Sequence, residues 1–195
     1  MLAEMDLLRD MKAVFNFFLK AKHWQVFLLL FAVPTIAEIV ASGYIPTTIR
    51  SGKDLGYGGL LYFVLMLLDT LCLFAWLWAM GSFLNSLQNP AQRLNPGFFR
   101  VALVYPLIYM PFFFWFFLNS EAIPVQVVFP LHLFATLCFF YVFYFVAKSL
   151  VTVNKRKEVF IGDYAKSWIL LCLFPIGVWF IQPRINQLYT EAMNR

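Results

Sequence analysis

Long apolar runs dominate this sequence and limit the folds open to it. Four of them contain about twenty residues or more, and a helix of that length crosses the roughly 30 Å hydrocarbon core of a bilayer. These runs cover residues 24–44, 59–84, 98–118 and 125–147. The composition agrees, since 62% of the 195 residues are hydrophobic and 13% are charged, against about 45–50% and 25% in soluble domains. A soluble enzyme, a disordered protein and a disulfide scaffold are therefore excluded.

A fifth apolar run, at 168–182, is shorter and contains Pro175 and Gly177. With about fifteen residues it lies below the usual spanning length, so it is either a short, kinked span or a re-entrant segment. We favour a crossing, because its apolar side chains are costly to leave in water. The sequence thus predicts an all-α fold: a polytopic transmembrane helical bundle over 24–182, with four clear spans and a short fifth.

The two flanks of the bundle are more polar. Residues 1–23 predict an amphipathic helix, because apolar residues recur there at spacings of three or four. Such a helix lies in the membrane interface or packs on a partner helix, and the nearby lysines and Trp24 favour the interface. The tail, 183–195, is polar enough to be solvated.

The distribution of lysine and arginine predicts the orientation. With the N-terminus inside, the segments before the tail carry eleven basic residues on the inner side and two on the outer side. By the positive-inside rule this favours a cytoplasmic N-terminus. If 168–182 crosses, the two arginines of the tail make the ratio eleven to four. If it turns back, the ratio is thirteen to two, which charge alone slightly prefers.

Three ionisable residues lie at membrane depth, where a charge costs about 2.5–3.5 kcal/mol on insertion scales. In the predicted topology Glu38, Asp69 and His132 lie about 9, 15 and 12 Å from the outer surface. Three helices thus contribute one polar side chain each at similar depths. We expect an intramembrane polar cluster.

Two interpretations of this cluster stay open. In the functional one, His132 pairs with a carboxylate, a protonated acid relays protons, or a ring of carboxylates attracts cations. In the structural one, Asp69 bonds to Thr70, Tyr105 or a backbone carbonyl, and His132 joins helices by hydrogen bonds.

Other features carry weaker signals. The run Lys155, Arg156, Lys157 can contact lipid headgroups or an acidic partner, or simply set the topology. Two histidines and three separate cysteines predict no metal site, and no catalytic or nucleotide-binding motif is present, so we expect no cofactor and no enzymatic activity. The basic residues lie in short segments between apolar runs, which argues against nucleic acid as a partner.

Two stretches carry a resemblance. Residues 140–186, FYVFYFVAKSLVTVNKRKEVFIGDYAKSWILLCLFPIGVWFIQPRIN, resemble the C-terminal part of an uncharacterised family of small multi-pass inner-membrane proteins of Bacteroidota-type bacteria. KHWQVFLLLFAVP, at 22–34, resembles their start. The resemblance implies a bacterial inner-membrane protein and carries over no activity.

Two functions from different classes follow. The first is a non-enzymatic membrane module, a homo-oligomeric pore or a membrane subunit for a protein partner. The alternative is a small transporter or lipid-handling protein that uses Glu38, Asp69 and His132 as its polar site.

Overall fold

The computed structural model describes residues 13–43, 56–118 and 124–194. Within these ranges the chain forms seven helices and no strand, so the predicted all-α bundle is confirmed. Helix α1 covers residues 13–20, and α2 consists of His23–Phe27, a π-helical turn at Leu28–Ala32 and Val33–Gly43. The others are α3 (Gly56–Leu87), α4 (Pro96–Leu118), α5 (Val125–Lys155), α6 (Ile161–Cys172) and α7 (Phe174–Met193), with a 3-10 turn at Pro90–Gln92 before α4.

Four helices are long and apolar enough to cross a membrane. The apolar stretches are His23–Val40, Leu60–Leu87, Pro96–Phe114 and Val125–Lys155. Two helices are longer than a crossing requires: α3 has 32 residues and α5 has 31, which is about 48 and 46 Å. Helix α5 continues eight residues past the predicted end at 147, because Ser149, Leu150 and Thr152 are buried against the bundle.

The π-helical turn in α2 lies just before Pro34. Proline has no N–H to donate, and its ring crowds the carbonyl group four residues earlier. Here the N–H of Val33 bonds to the carbonyl oxygen of Leu28, five residues back. The wider turn accommodates the proline without ending the helix.

The fifth apolar run differs from the favoured prediction. Residues 168–182 do not form one helix, because α6 ends at Cys172 and α7 begins at Phe174. Leu173 between them has φ −97° and ψ 50°, outside the helical region. Pro175, in the first turn of α7, lacks the N–H that would have continued α6. The run is a helical hairpin, as in the re-entrant alternative.

The arms of this hairpin follow two different helices. Helix α6 packs along α5, with Tyr164 against Tyr144 and the indole N–H of Trp168 donating to the carbonyl oxygen of Phe140 at 3.3 Å. Helix α7 returns along α2, first beside Phe31 and then beside Phe27. Ile169, Leu173, Ile176 and Phe180 are exposed around the tip. An apolar surface of this kind suits lipid contact.

The bundle has two different ends. At one end a cavity is lined by α5, α7 and the segment that follows α3, including Gln88, Thr152 and Glu191. We call this the polar end, formed by residues 13–22, 85–96, 152–161 and 182–194. At the opposite end the start of α3 meets the end of α4, where the rings of Phe63 and Phe114 stack with centroids 4.3 Å apart.

The described part of the predicted amphipathic helix packs on a neighbouring helix of the bundle, α7. Phe18, Leu19 and Ala21 are buried beside α7, whereas Val14 and Phe17 are exposed. One side of α1 thus packs in the bundle, and the other keeps an apolar surface suited to the interface. Residues 1–12 of this predicted helix lie outside the described ranges.

The tightly packed core lies toward the polar end. Trp76, Leu77, Met80 and Leu84 of α3 are fully buried. Farther from that end, no described side chain within residues 31–40 of α2 or 60–72 of α3 is buried. The two helices nevertheless pack against each other. One copy of the chain therefore leaves most of this α2–α3 surface uncovered.

Candidate functional site

Asp69 is the most unusual polar residue inside an apolar helix. It lies on α3, half-buried, and its carboxylate oxygen Oδ1 is buried without a hydrogen-bond partner among the described residues. An unpartnered buried acceptor loses its hydration without replacement, at a cost of about 1–3 kcal/mol. Groups left in this state often have a functional explanation.

The structural partners expected for Asp69 are used elsewhere. The Thr70 hydroxyl donates to the carbonyl oxygen of Met66 at 2.8 Å and lies 3.2 Å from the sulfur of Met110. The Tyr105 hydroxyl donates to the carbonyl oxygen of Leu131 at 3.2 Å. Neither hydroxyl therefore donates to Asp69 among the described residues, and the structural interpretation of Asp69 stays open.

Glu38 is the neighbour of Asp69 across the helix pair. It lies half-buried on α2, and it is close enough for its charge to act on the Asp69 carboxyl group. Because α2 packs on α3, two acids from separate helices share one region of the bundle. The sequence-predicted cluster thus retains its two carboxylates.

His132 lies elsewhere. Its side chain is exposed on α5, with the ring 4.9 Å from that of Phe113 and 5.9 Å from that of Tyr109 on α4. The described residues show no contact or electrostatic interaction between His132 and either acid. Depth along a helix was predictable, but direction around the bundle was not: His132 faces α4, and the acids lie between α2 and α3.

A carboxyl pair without an imidazole has limited chemistry. Like charges on the two carboxyl groups repel each other, so the pair favours binding of a proton or a cation over two free charges. Within the described ranges no group of three or more His, Cys, Asp and Glu residues could hold a metal ion. The arrangement suits transient binding of a proton or a monovalent cation.

The basic run at the end of α5 has a partly internal role. Lys155 forms an ion pair with Asp163 at the start of α6. Asp163 also accepts the backbone N–H of Phe160 at 3.1 Å. Both hydrogen bonds lower the pKa of Asp163, and the one from Lys155 has the larger effect. Arg156 ends the helix in the left-handed region at φ 53°, and Lys157 is exposed. Contact of this run with headgroups or a partner stays a prediction.

A buried amide cluster, centred on Gln182, was not predicted. Its Nε2 donates to the carbonyl oxygens of Phe18 at 2.8 Å and Ala21 at 2.9 Å. Its Oε1 accepts the indole N–H of Trp76 at 2.9 Å. Gln182 and Trp76 are both fully buried. One side chain of α7 thus joins α1 to α3.

Asn186 extends the same contact one turn farther along α7. Its Nδ2 donates to the carbonyl oxygens of Leu19 at 2.8 Å and Ala21 at 3.1 Å. The last carbonyls of a helix have no partner within it, so these two amides complete the end of α1. The available signal was the spacing of Gln182 and Asn186, since residues four apart share one helix face.

These features define the class as an α-helical membrane protein, with four helices long and apolar enough to span and a carboxyl group on each of two of them, Glu38 and Asp69. Comparison with protein-family models, curated proteins and solved structures found no match. The resemblance to small bacterial inner-membrane proteins therefore stays a prediction.

Proposed function

We propose that this protein is a non-enzymatic membrane module whose copies assemble into a pore-like oligomer, with Glu38 and Asp69 lining a path for protons or small cations. The observation that carries the proposal is the buried, unpartnered Oδ1 of Asp69 beside Glu38. The bacterial inner membrane, with the N-terminus on the cytoplasmic side, is the location we propose for it.

The first support is the cost of the pair in a lone subunit. Glu38 lies in a stretch of α2 whose other side chains include the exposed Val33, Ile36 and Val40. Such side chains suit lipid, whereas a carboxylate at this depth does not, and intramembrane acids usually face protein or a water-filled cavity. A neighbouring copy, or water held between copies, removes this conflict.

The second support is the uncovered α2–α3 surface. Residues 31–40 and 60–72 contain no buried side chain among those described, although both helices belong to the bundle. A second copy packed there would bury these side chains and close a polar space around the acids. In a closed ring, one pair per copy gives a ring of carboxylates, which favours cations.

The alternative is a small transporter or lipid-handling protein that uses the same acids within one copy. The π-helical turn of α2 at Leu28–Ala32 favours this alternative, because it precedes Glu38 by about two turns and such turns often lie at hinges. A bend there would move Glu38 relative to Asp69. His132, which the sequence assigned to this site, would take no direct part.

The test compares carboxyl variants in proteoliposomes. Asp69→Asn and Glu38→Gln remove each charge at nearly constant size, and Glu191→Gln removes an exposed acid at the polar end as the matched control. We expect the wild type and Glu191→Gln to dissipate an imposed proton or potassium gradient. Asp69→Asn should abolish the flux, and Glu38→Gln should reduce it strongly.

Mass measurement of the same samples, in detergent and in nanodiscs, decides between the alternatives. An oligomer of unchanged size in all variants agrees with the pore. A strictly monomeric protein that still carries flux contradicts the pore and favours the transporter. Unchanged flux in Asp69→Asn together with lower thermal stability would show that Asp69 has a structural role.

A further inference from the structure

A second cavity at the polar end has a distinct charge. It encloses about 220 Å³ between the last turns of α3 and the first turn of α4. Arg93 and Arg100 line it together with Ser82, Asn85 and Ser86, and none of its described lining residues is acidic. The stacked rings of Phe99 and Phe145, with centroids 4.1 Å apart, also line it. The lining is cationic and rich in hydrogen-bonding groups, so it suits an anion.

The two arginine side chains differ in their hydrogen bonds. The guanidinium of Arg93 is held by the preceding backbone, because Nε donates to the carbonyl oxygen of Gln88 and Nη2 to that of Ser86, both at 3.1 Å. Arg100 makes no hydrogen bond or ion pair with the residues that the structure describes. One guanidinium is therefore held in place at the cavity, and the other is free to engage a ligand. Arginine pairs of this kind suit phosphate oxygens.

Asn85 adds a second requirement. Its side-chain oxygen Oδ1 is buried and has no hydrogen-bond partner among the described residues. An acceptor inside an arginine-lined cavity calls for a ligand that brings a donor as well as a negative charge. A phosphate ester with a free hydroxyl group meets both needs.

The surface beside the cavity indicates where this ligand comes from. On α4, exposed apolar side chains continue away from Arg100 toward the opposite end: Val101, Val104 and Ile108, with 54%, 39% and 70% of their surface exposed. These residues suit acyl chains. The cavity therefore lies where a lipid-facing stripe meets the polar end, which is the level of the headgroups. Basic pockets at this level bind lipid headgroups.

We propose that this cavity binds the headgroup of an anionic phospholipid of the phosphatidylglycerol type. Arg93 and Arg100 bind the phosphate, a glycerol hydroxyl donates to Asn85 Oδ1, and an acyl chain follows Val101, Val104 and Ile108. The site is separate from the basic run at 155–157 and does not depend on the carboxyl pair or on assembly.

Lipid binding to the full chain is measured by native mass spectrometry in detergent. Phosphatidylglycerol and phosphatidylcholine with identical acyl chains are compared for the wild type, Arg100→Gln and the control Arg184→Gln, an exposed arginine of α7 outside the cavity. We expect the wild type and Arg184→Gln to prefer phosphatidylglycerol. Arg100→Gln should bind it roughly tenfold more weakly, as the loss of one charge-assisted contact predicts.

Two more variants separate the parts of the site. Ser82→Leu fills the cavity and leaves both arginines in place, so it should also abolish the preference. The wild type should prefer phosphatidylglycerol over phosphatidic acid, which lacks the glycerol headgroup. Asn85→Ala should bind both lipids without this preference. Circular dichroism confirms that each variant is folded, and Ser82→Leu replaces Arg100→Gln if the latter is not.

Two results would overturn the proposal. One is phosphatidylglycerol binding by Arg100→Gln or Ser82→Leu that equals binding by the wild type. The other is binding of glycerol 1-phosphate, offered without lipid, as tight as that of the phospholipid, because the ligand would then be a soluble phosphate ester.

Discussion

At the scale of single residues, Gln182 connects more of the molecule than any charged group described above. One amide satisfies two carbonyl oxygens at the end of α1 and the indole N–H of Trp76 on α3. Without this amide, the Phe18 carbonyl and the Trp76 indole would be left without a hydrogen bond, and the Ala21 carbonyl would keep only the one from Asn186. Leaving a buried polar group unpaired costs more than a typical hydrogen bond contributes to stability. The contact therefore fixes α1 and α7 to the core.

We predict that Gln182→Leu destabilises the protein by about 3 kcal/mol, because the Phe18 carbonyl and the Trp76 indole lose their hydrogen bonds and the Ala21 carbonyl keeps only the one from Asn186. Thermal or denaturant unfolding in detergent measures the change. Gln187→Leu is the matched control, since Gln187 is exposed and bonds only to Glu191 among the described residues. It should stay within about 0.5 kcal/mol of the wild type. Equal losses in the two variants would contradict the role given to Gln182.

The candidate site shows what single residues reveal in a sequence. Glu38 and Asp69 stand out because charge is rare in apolar runs, and counting residues from the helix ends gives their depth. His132 satisfied the same criteria and yet faces a different neighbour. Direction around a bundle depends on which helices pack together, and an apolar run that faces lipid on one side and protein on the other shows little difference between them.

At the scale of elements, the α6–α7 hairpin depends on a close approach of two backbones. A Cβ atom added at Gly177 would lie 1.8 Å from the carbonyl oxygen of Leu170. Only glycine allows the first turn of α7 to lie this close to the last turn of α6. The hairpin can therefore turn within one residue, Leu173, and keep its tip narrow.

Gly177→Ala should separate the two arms and lower the stability by about 1–3 kcal/mol, as overpacking does elsewhere. The control is Gly162→Ala in α6, where an added Cβ would have nothing within 4 Å. That change should be neutral or slightly stabilising, because alanine favours helix over glycine. Unfolding midpoints of both variants in one detergent provide the measurement. A stable Gly177→Ala protein would show that the arms are farther apart than described.

The contact between Lys155 and Asp163 makes the start of α6 sensitive to acid. The folded pKa of Asp163 is lowered from its ordinary value of 3.8, chiefly by the hydrogen bond from Lys155. The stabilisation is therefore fully present above that value and is lost as the pH falls through the lowered pKa. We expect the N–H of Phe160 to lose hydrogen-exchange protection only below about pH 4. Asp163→Asn keeps an oxygen acceptor but has no titratable group, so its protection should not change over this pH range.

The elements were predictable to different degrees. The four long spans follow from apolar length, and their ends shift by a few residues because polar side chains at 148–155 continue α5 on packing alone. The hairpin at 168–182 could not be separated from a kinked crossing, since Trp168, Phe174 and Trp179 look equally apolar in both. The charge count favoured the return and the hydropathy favoured the crossing. In the structure the chain returns, and the tip exposes apolar side chains that suit lipid contact.

At the scale of the whole molecule, the polar end gathers segments that are distant in sequence. Residues 87–92, 152–156 and 188–192 line one cavity of about 370 Å³. The starts of α3 and α5 lie at the opposite end, with the end of α4. Because the hairpin returns, α7 finishes on the side where α1 lies. Arg184 of the tail then lies at the same end as Lys20, Arg93 and Lys155.

Single cysteines test this arrangement. We predict that Gln92→Cys and Gln187→Cys react with a membrane-impermeant maleimide from the same side, the cytoplasmic one, and that Gln126→Cys at the start of α5 reacts from the other. The native thiols, Cys72, Cys138 and Cys172, lie within helices of the bundle and are first changed to alanine. Labelling of Gln187→Cys and Gln92→Cys from opposite sides would show that residues 168–182 cross the membrane.

The amide cluster on α7 also sets an order of events during biosynthesis. Helix α7 leaves the ribosome after α1 and α3. While the preceding helices enter the bilayer, Gln182 is therefore not yet available to bond the carbonyls of Phe18 and Ala21 and the indole of Trp76. Until then these polar groups lack the hydrogen bonds that α7 provides. The bundle therefore completes its hydrogen bonds only when α7 packs. A chain that ends before α7 keeps these polar groups unpaired, and a full-length chain does not.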